Sequence, residues 1–328
     1  MLRSSKRRHR KSVPPFASTT HVGLIQVLAP MSESSRQHDR QHFFKYMPAE
    51  TARKVLLTSR LRWSSPLLFN DPFDVPRDIA HGFTSADIAR ATADLFNQYL
   101  DAPPEDLTDF DDSLAQLFTL ARDGFPPELR EQLRTTIVET LTQLQSGNAL
   151  QELRDHWKSV VPTLRILCLA ESPNHVAMWN HYADRYRGVV LGFKCNDATD
   201  NFLLVAEPIE YLQAKPDVYT DHGLAKLLCL KSLAAAKAIH QIATQSKSDD
   251  WSYEKEWRIV DYAEGSDETQ YWDRPFSAED LSHIYLGPLV LAHDRHHILS
   301  LAAAYPNVRI FQTSIGMDRE LHFQSHEG

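Results

Sequence analysis

Trp251-Ser252-Tyr253-Glu254-Lys255-Glu256-Trp257-Arg258-Ile259-Val260 is the stretch on which the reading of this chain turns. Residues from Trp257 to Tyr262 have the aromatic and β-branched character of a strand. Glu254 and Glu256 stand two residues apart at its mouth, so in extended geometry both carboxylates face the same way. Arg258 shares that face. A Glu-x-Glu-x-Arg row is costly to bury unless each charge finds a partner. The row therefore predicts either an internal ion-pair ladder or the floor of a polar site.

Outward from this strand the chain alternates strand and helix signals. Phe43–Tyr46 reads as a short strand, Pro48-Ala49-Glu50 opens a helix to about Ser59, and Leu61–Ser64 is a second strand stopped by Pro66. Strand signals return at Leu164–Leu169, Gly188–Phe193, Phe202–Tyr211, Trp257–Tyr262, His283–Leu286 and Val308–Gln312. Pro208 confines the Phe202–Tyr211 strand to an edge or an end. Helices are expected at Ala177–Ala183, from about Leu224 to Gln245 as one long element, and from about Ala292 to Tyr305.

From about residue 85 to 162 the apolar spacing is helical throughout, with Leu114, Leu117, Phe118 and Ala121 and later Ile137, Leu141 and Leu144 as the buried stripe. The fold class is α+β: a mixed, mainly antiparallel sheet core with a helical insertion at about 85–162 and flanking helices.

Composition sets the bounds. The 328 residues are 42% hydrophobic and 24% charged, with a net charge of -8, a globular mix that disfavours nucleic-acid binding over the whole surface. No run approaches the ~18 apolar residues of a membrane span. Cys168, Cys195 and Cys229 are scattered, which argues against a disulfide framework and suits a reducing, cytoplasmic setting. Residues 1–41 read as a disordered basic tail, rich in Arg and Lys over its first eleven positions, with Met31 as an alternative start. Residues 42–328 then form a single domain carrying the insertion.

Among candidate motifs, Asn70-Asp71-Pro72-Phe73-Asp74 has the makings of a tight turn, and two acids flanking an aromatic are also able to hold a cation or a sugar hydroxyl. Trp179, His181 and Tyr182 fall within one helical turn, offering either ring stacking and a titratable imidazole or a helix anchored to the sheet. His293 and His297 have the spacing of a zinc pair without the accompanying Glu, so they read as a solvated helix start and no metal is expected. Gly-rich phosphate loops and the Gly-x-Ser-x-Gly elbow are absent, which disfavours kinase, P-loop and hydrolase-elbow chemistry.

Several blocks in order carry a family resemblance: Phe44-Lys45-Tyr46; Leu61-x-Trp63-Ser64-Ser65-Pro66 with Phe69-Asn70-Asp71-Pro72-Phe73-Asp74; Met178-Trp179-x-His181-Tyr182-Ala183-Asp184 with Gly188–Phe193; Trp251-x-Tyr253-Glu254-x-Glu256-Trp257-Arg258; and Ile284-Tyr285-Leu286-Gly287-Pro288. Together they resemble the bacterial proteins of DUF2971, over roughly His42 to Phe323. That family carries no assigned activity.

The layout is also similar, more loosely, to that of ADP-ribosyltransferases. This second resemblance implies NAD as substrate, Glu256 as the catalytic carboxylate, Ser64 as the supporting serine, and His181 or Tyr182 stacking on nicotinamide. The first strand offers Lys45 and Tyr46, with His42 just before them, where that superfamily places an Arg or His. Glu254 would orient the acceptor, and Arg258 would pair with phosphate or with Glu256.

Two functions emerge as expectations. One is a glycosyl-transferring or NAD-cleaving enzyme, with a protein or nucleic-acid acceptor undefined and a role in phage defence or as a toxin by analogy. The other is a non-catalytic nucleotide- or protein-binding module. A metal-dependent nuclease built on Asp71, Asp74 and Glu254 is a third arrangement, without a supporting spacing.

Overall fold

The computed structural model describes residues 36–78, 82–144, 149–263 and 269–326. The basic tail up to residue 35 lies outside the described residues, and so do the side chains of Leu141 and Leu144. Residues 36–41, expected within the tail, are held against the domain. Arg36 pairs with Asp197 at 2.7 Å, Gln37 N–H donates to Leu204 O at 2.9 Å, and Arg40 pairs with Glu171 at 3.1 Å.

The described chain runs β1 (His42–Met47), α1 (Ala49–Thr58), β2 (Arg60–Ser64), then four helices, α2 (Ser85–Asp101), α3 (Asp112–Asp123), α4 (Pro127–Leu144) and α5 (Ala149–Val160). It returns to the sheet with β3 (Leu164–Ala170), α6 (Val176–His181) and β4 (Val189–Lys194). Short strands β5 (Glu207–Pro208) and β6 (Glu210–Leu212) precede helices α7 (Asp221–Leu228) and α8 (Ser232–Gln245). The remainder is β7 (Ser246–Ser248), β8 (Glu256–Tyr262), β9 (Tyr271–Pro275), β10 (Leu281–Leu286), α9 (Ala292–Ala302), β11 (Arg309–Ile315) and β12 (Leu321–Ser325).

The main sheet has the order β12-β11-β10-β4-β1-β3-β2-β9. Its pairings are antiparallel except β10 with β11, which α9 connects, so the α+β class with a mixed, mainly antiparallel sheet stands. One face packs on α1 and α9 through a core that includes Phe43, Leu56, Trp63, Leu191 and Ile298. The other packs Leu164 and Ile166 against Trp157, Leu224 and Ile239. The helical insertion has aromatic clusters of its own around Phe96, Leu100 and Phe118.

Strand β3 is the element around which the sheet divides. One edge pairs along its whole length with β8, from Leu164 opposite Tyr262 to Ala170 opposite Glu256. The other edge is shared by two strands: β1 meets it at Ala170 and β2 meets it at Ile166. The sheet therefore forks, and the gap between β1 and β2 exposes the middle of β3.

Three expectations are corrected. The long helix from Leu224 to Gln245 is two helices, because residues 229–231 turn aside to bond the insertion: Asp111 N–H donates to Cys229 O at 2.9 Å and Lys231 N–H to Asp109 O at 2.8 Å. Phe202–Tyr211 is no single strand; residues Phe202–Val205 form a 3-10 turn, and β5 pairs only with β8. Glu254 ends a 3-10 segment (Asp249–Glu254) and is not in the strand; Lys255 reverses the chain with φ 44° before β8 starts at Glu256.

Beyond α6 the chain also takes a left-handed path, with Asp184, Arg185 and Tyr186 at φ 46°, 54° and 69°. Such residues cost about 1–2 kcal/mol each. Here they let Arg185 and Tyr186 N–H groups reach back to the helix carbonyls of Asn180 and Trp179 at 3.2 and 3.1 Å. Gly188 then passes so close to β1 that a Cβ would lie 2.3 Å from Met47 O.

Candidate functional site

The fork between β1 and β2 is a cavity of about 370 Å³. Lys45 and Tyr46 reach it from β1, Ser64 and Arg62 from β2, Cys168 from β3, His181 and Tyr182 from the end of α6, Glu254 from the end of the 3-10 segment and Glu256 from the start of β8. Seven of the residues that the ADP-ribosyltransferase resemblance names, Lys45, Tyr46, Ser64, His181, Tyr182, Glu254 and Glu256, thus line one cavity. His42 is not in its lining, and neither is Arg258, which has no exposed surface.

The floor is an ion network. Lys247 of β7 donates to Glu254 Oε2 at 2.7 Å and Glu256 Oε2 at 3.3 Å, and stands 3.5 Å from Asp74 Oδ2. Arg258 grips Glu256 with Nε to Oε1 at 2.7 Å and Nη2 to Oε2 at 3.1 Å, a bidentate fork. The same Nη2 reaches Asp74 Oδ2 at 2.6 Å, and Nη1 reaches Thr244 O at 3.0 Å in the last turn of α8. That carbonyl belongs to the electronegative end of the helix, which favours a cation. Three carboxylates share two cations, so the network carries an excess negative charge when all are ionised.

The two glutamates answer differently to this setting. Glu254 is 2% exposed; burial pushes its carboxyl above the ordinary range, Lys247 opposes the rise and Glu256 adds to it. Glu256 is also buried, which would raise it, but Arg258 and Lys247 outweigh burial and hold it down to about 2. Burial works against the charge on Lys247, and Glu256, Asp74 and Glu254 together raise its pKa instead.

Tyr182 donates its hydroxyl to Glu254 Oε1 at 2.7 Å, and burial, then the Glu254 charge, pushes that phenol up. Glu256 N–H donates to Tyr211 Oη at 2.8 Å, fixing the strand start. The Cys168 thiol beside Glu256 is raised by burial and by that carboxylate, which leaves it protonated and a poor nucleophile.

The remaining predicted residues divide by what they touch. Lys45 Nζ donates to Cys168 O at 2.5 Å. Tyr46 donates to Ser172 O at 2.8 Å, accepts from His175 N–H at 3.1 Å and packs edge-on against Trp179, so its hydroxyl braces the loop before α6. Trp179 is fully buried and donates to Pro173 O at 2.7 Å, the anchoring alternative of the two considered. His181 is exposed, with Nδ1 3.1 Å from Tyr253 Oη. Arg258, expected to pair with phosphate or with Glu256, pairs with Glu256.

Lys247 is the network member that sequence reasoning does not reach. Lys247 sits in Gln245-Ser246-Lys247-Ser248, which has no motif character, and only the parallel pairing of β7 with β6 turns it inward. Asp74, expected either to shape a turn or to hold a cation or a sugar hydroxyl, takes the side-chain cations Arg258 and Lys247 as its partners.

Residues 178–259 match the family model of DUF2971, a protein family of unknown function. The resemblance read from the sequence is borne out over that stretch, which runs from α6 to β8. It contains Tyr182, Lys247, Glu254, Glu256 and Arg258. The blocks at Phe44–Tyr46, Leu61–Asp74 and Ile284–Pro288 lie outside the match. No curated protein and no solved structure matches the chain. Among the described residues, no helix is long and apolar enough to cross a membrane.

Proposed function

We propose that the forked cavity is the active site of an enzyme that cleaves or transfers from a nucleotide glycosidic bond, with NAD as the first substrate to test. The observation that carries this reading is the unequal setting of two adjacent carboxylates on one ammonium: Glu254 meets Lys247 at 2.7 Å and the Tyr182 hydroxyl at 2.7 Å, whereas Glu256 stands 3.3 Å from Lys247 and is gripped by the Arg258 fork. Environments that push two titratable groups apart suit one for moving protons and the other for holding fixed charge.

In this reading the nicotinamide leaves with the electrons of its bond to the ribose C1′, and the acceptor oxygen forms the new bond there. Glu254 takes the acceptor's proton. Glu256, ionised across the neutral range, supplies negative charge beside the developing oxocarbenium. Lys45 and Ser64 offer polar contacts on the opposite wall, and His181 and Tyr182 offer ring faces. The layout similarity to ADP-ribosyltransferases points the same way, with Glu256 as the carboxylate beside the oxocarbenium and Glu254 on the acceptor side. Loss of NAD in the cell would account for a defence or toxin role.

A second reading has a specific observation behind it. Arg258 is fully buried and its contacts with Glu256, Asp74 and Thr244 O complete a ladder that can serve a non-catalytic binding module. Nicotinamide release by purified wild type, Glu254→Gln and Glu256→Gln separates the two. Release abolished by Glu254→Gln in a folded protein supports the enzyme; no release from wild type favours the module.

A further inference from the structure

A second cavity, of about 600 Å³, lies on the far side of Asp74 and Lys247, bounded by Phe73, Arg77, Lys215 and Tyr219. Its size suits a small organic ligand. Two features of its lining point to one chemistry. Arg77 and Lys215 have no carboxylate partner among the described residues, whereas the acid beside them, Asp78, is paired with Arg154 at 3.6 Å and Lys158 at 3.8 Å. The rim is therefore positive on a chain whose net charge is -8.

Phe73 is 87% exposed at the mouth, a flat apolar face available for stacking. A bare phosphate would meet the rim and leave this face unused.

We propose that this second cavity binds a nucleoside diphosphate, with its phosphates at Arg77 and Lys215 and its base on Phe73. The site stands on its own lining and does not depend on glycosidic chemistry in the forked cavity. It shares Asp74 and Lys247 with that cavity as a common wall, so an occupant would sit one residue away from Glu254.

The test is calorimetric titration of the full chain with ADP, adenosine and pyrophosphate at low salt. Wild type is compared with Arg77→Ala/Lys215→Ala and with a control of equal charge change, Lys54→Ala/Lys194→Ala. We expect ADP to bind more tightly than adenosine or pyrophosphate. The Arg77/Lys215 variant should weaken ADP by about tenfold or more, with an unchanged melting temperature, and the control should not. Absence of ADP binding, or equal loss in the control, would overturn the site. Pyrophosphate binding as well as ADP would overturn the nucleoside assignment. ADP has no nicotinamide bond, so this readout is separate from nicotinamide release.

Discussion

Glu254 and Glu256 touch the same ammonium, yet their substitution should have unequal consequences. Removing one partner of a buried pair leaves the other charge uncompensated, at about 3–5 kcal/mol. Glu256→Gln should therefore lower the melting temperature markedly, since Arg258 loses its bidentate partner, and Arg258→Lys should do so too because one ammonium cannot replace the fork. Glu254→Gln should change stability by less than about 1 kcal/mol, since burial already disfavours the charge it removes.

The pH dependence comes from the same split. The folded protein holds the Glu254 proton more tightly than the unfolded chain does. Its stabilising contribution is thus complete below the ordinary value of 4.5 and declines as pH rises through the raised folded value. The melting temperature of wild type relative to Glu254→Gln should fall over that interval. Glu256 works the other way: its contribution is present above 4.5 and is lost as pH falls toward about 2. A wild type that loses no stability relative to Glu256→Gln between pH 4.5 and 2 would contradict the ion network.

At the scale of elements, the site depends on a reversal that propensity does not reveal. Lys255 is left-handed between a 3-10 turn and a strand, and this brings both carboxylates onto Lys247. Lys255→Gly should be close to neutral in thermal melts. Lys255→Val should cost about 1–2 kcal/mol, because a β-branched residue is disfavoured at positive φ, and should also disturb the site.

The sequence expectation has the two glutamates sharing a strand face; they converge by a different route. Trp257–Tyr262 is legible as a strand from its aromatic and β-branched residues, and β1, β3 and β4 from their short apolar runs. The three-residue β7 and the exposed-patterned β9 and β12 carry too little apolar periodicity to be read locally. The break at residues 229–231 is hidden for a related reason: a bridge to the insertion overrides an Ala- and Leu-rich helical pattern.

For the molecule as a whole, the α+β class and the helical insertion are readable because helical spacing over residues 85–160 contrasts with strand signals on both sides. The fork in the sheet is not, since it depends on which strands share an edge of β3, and no local pattern encodes that. Seven residues chosen from four separated segments nevertheless meet in that fork. The three carboxylates at its floor already take Lys247 and Arg258 as their cations. Nicotinamide release should accordingly be unaffected by EDTA, whereas a nuclease-like use of Asp74 and Glu254 would make activity metal-dependent.

The most direct measurement is nicotinamide release from NAD by folded wild type and by Glu254→Gln, with melting curves recorded on both samples. The account predicts release by wild type and its loss in a variant of near-unchanged stability. Undiminished release by Glu254→Gln, or none from wild type, would contradict it.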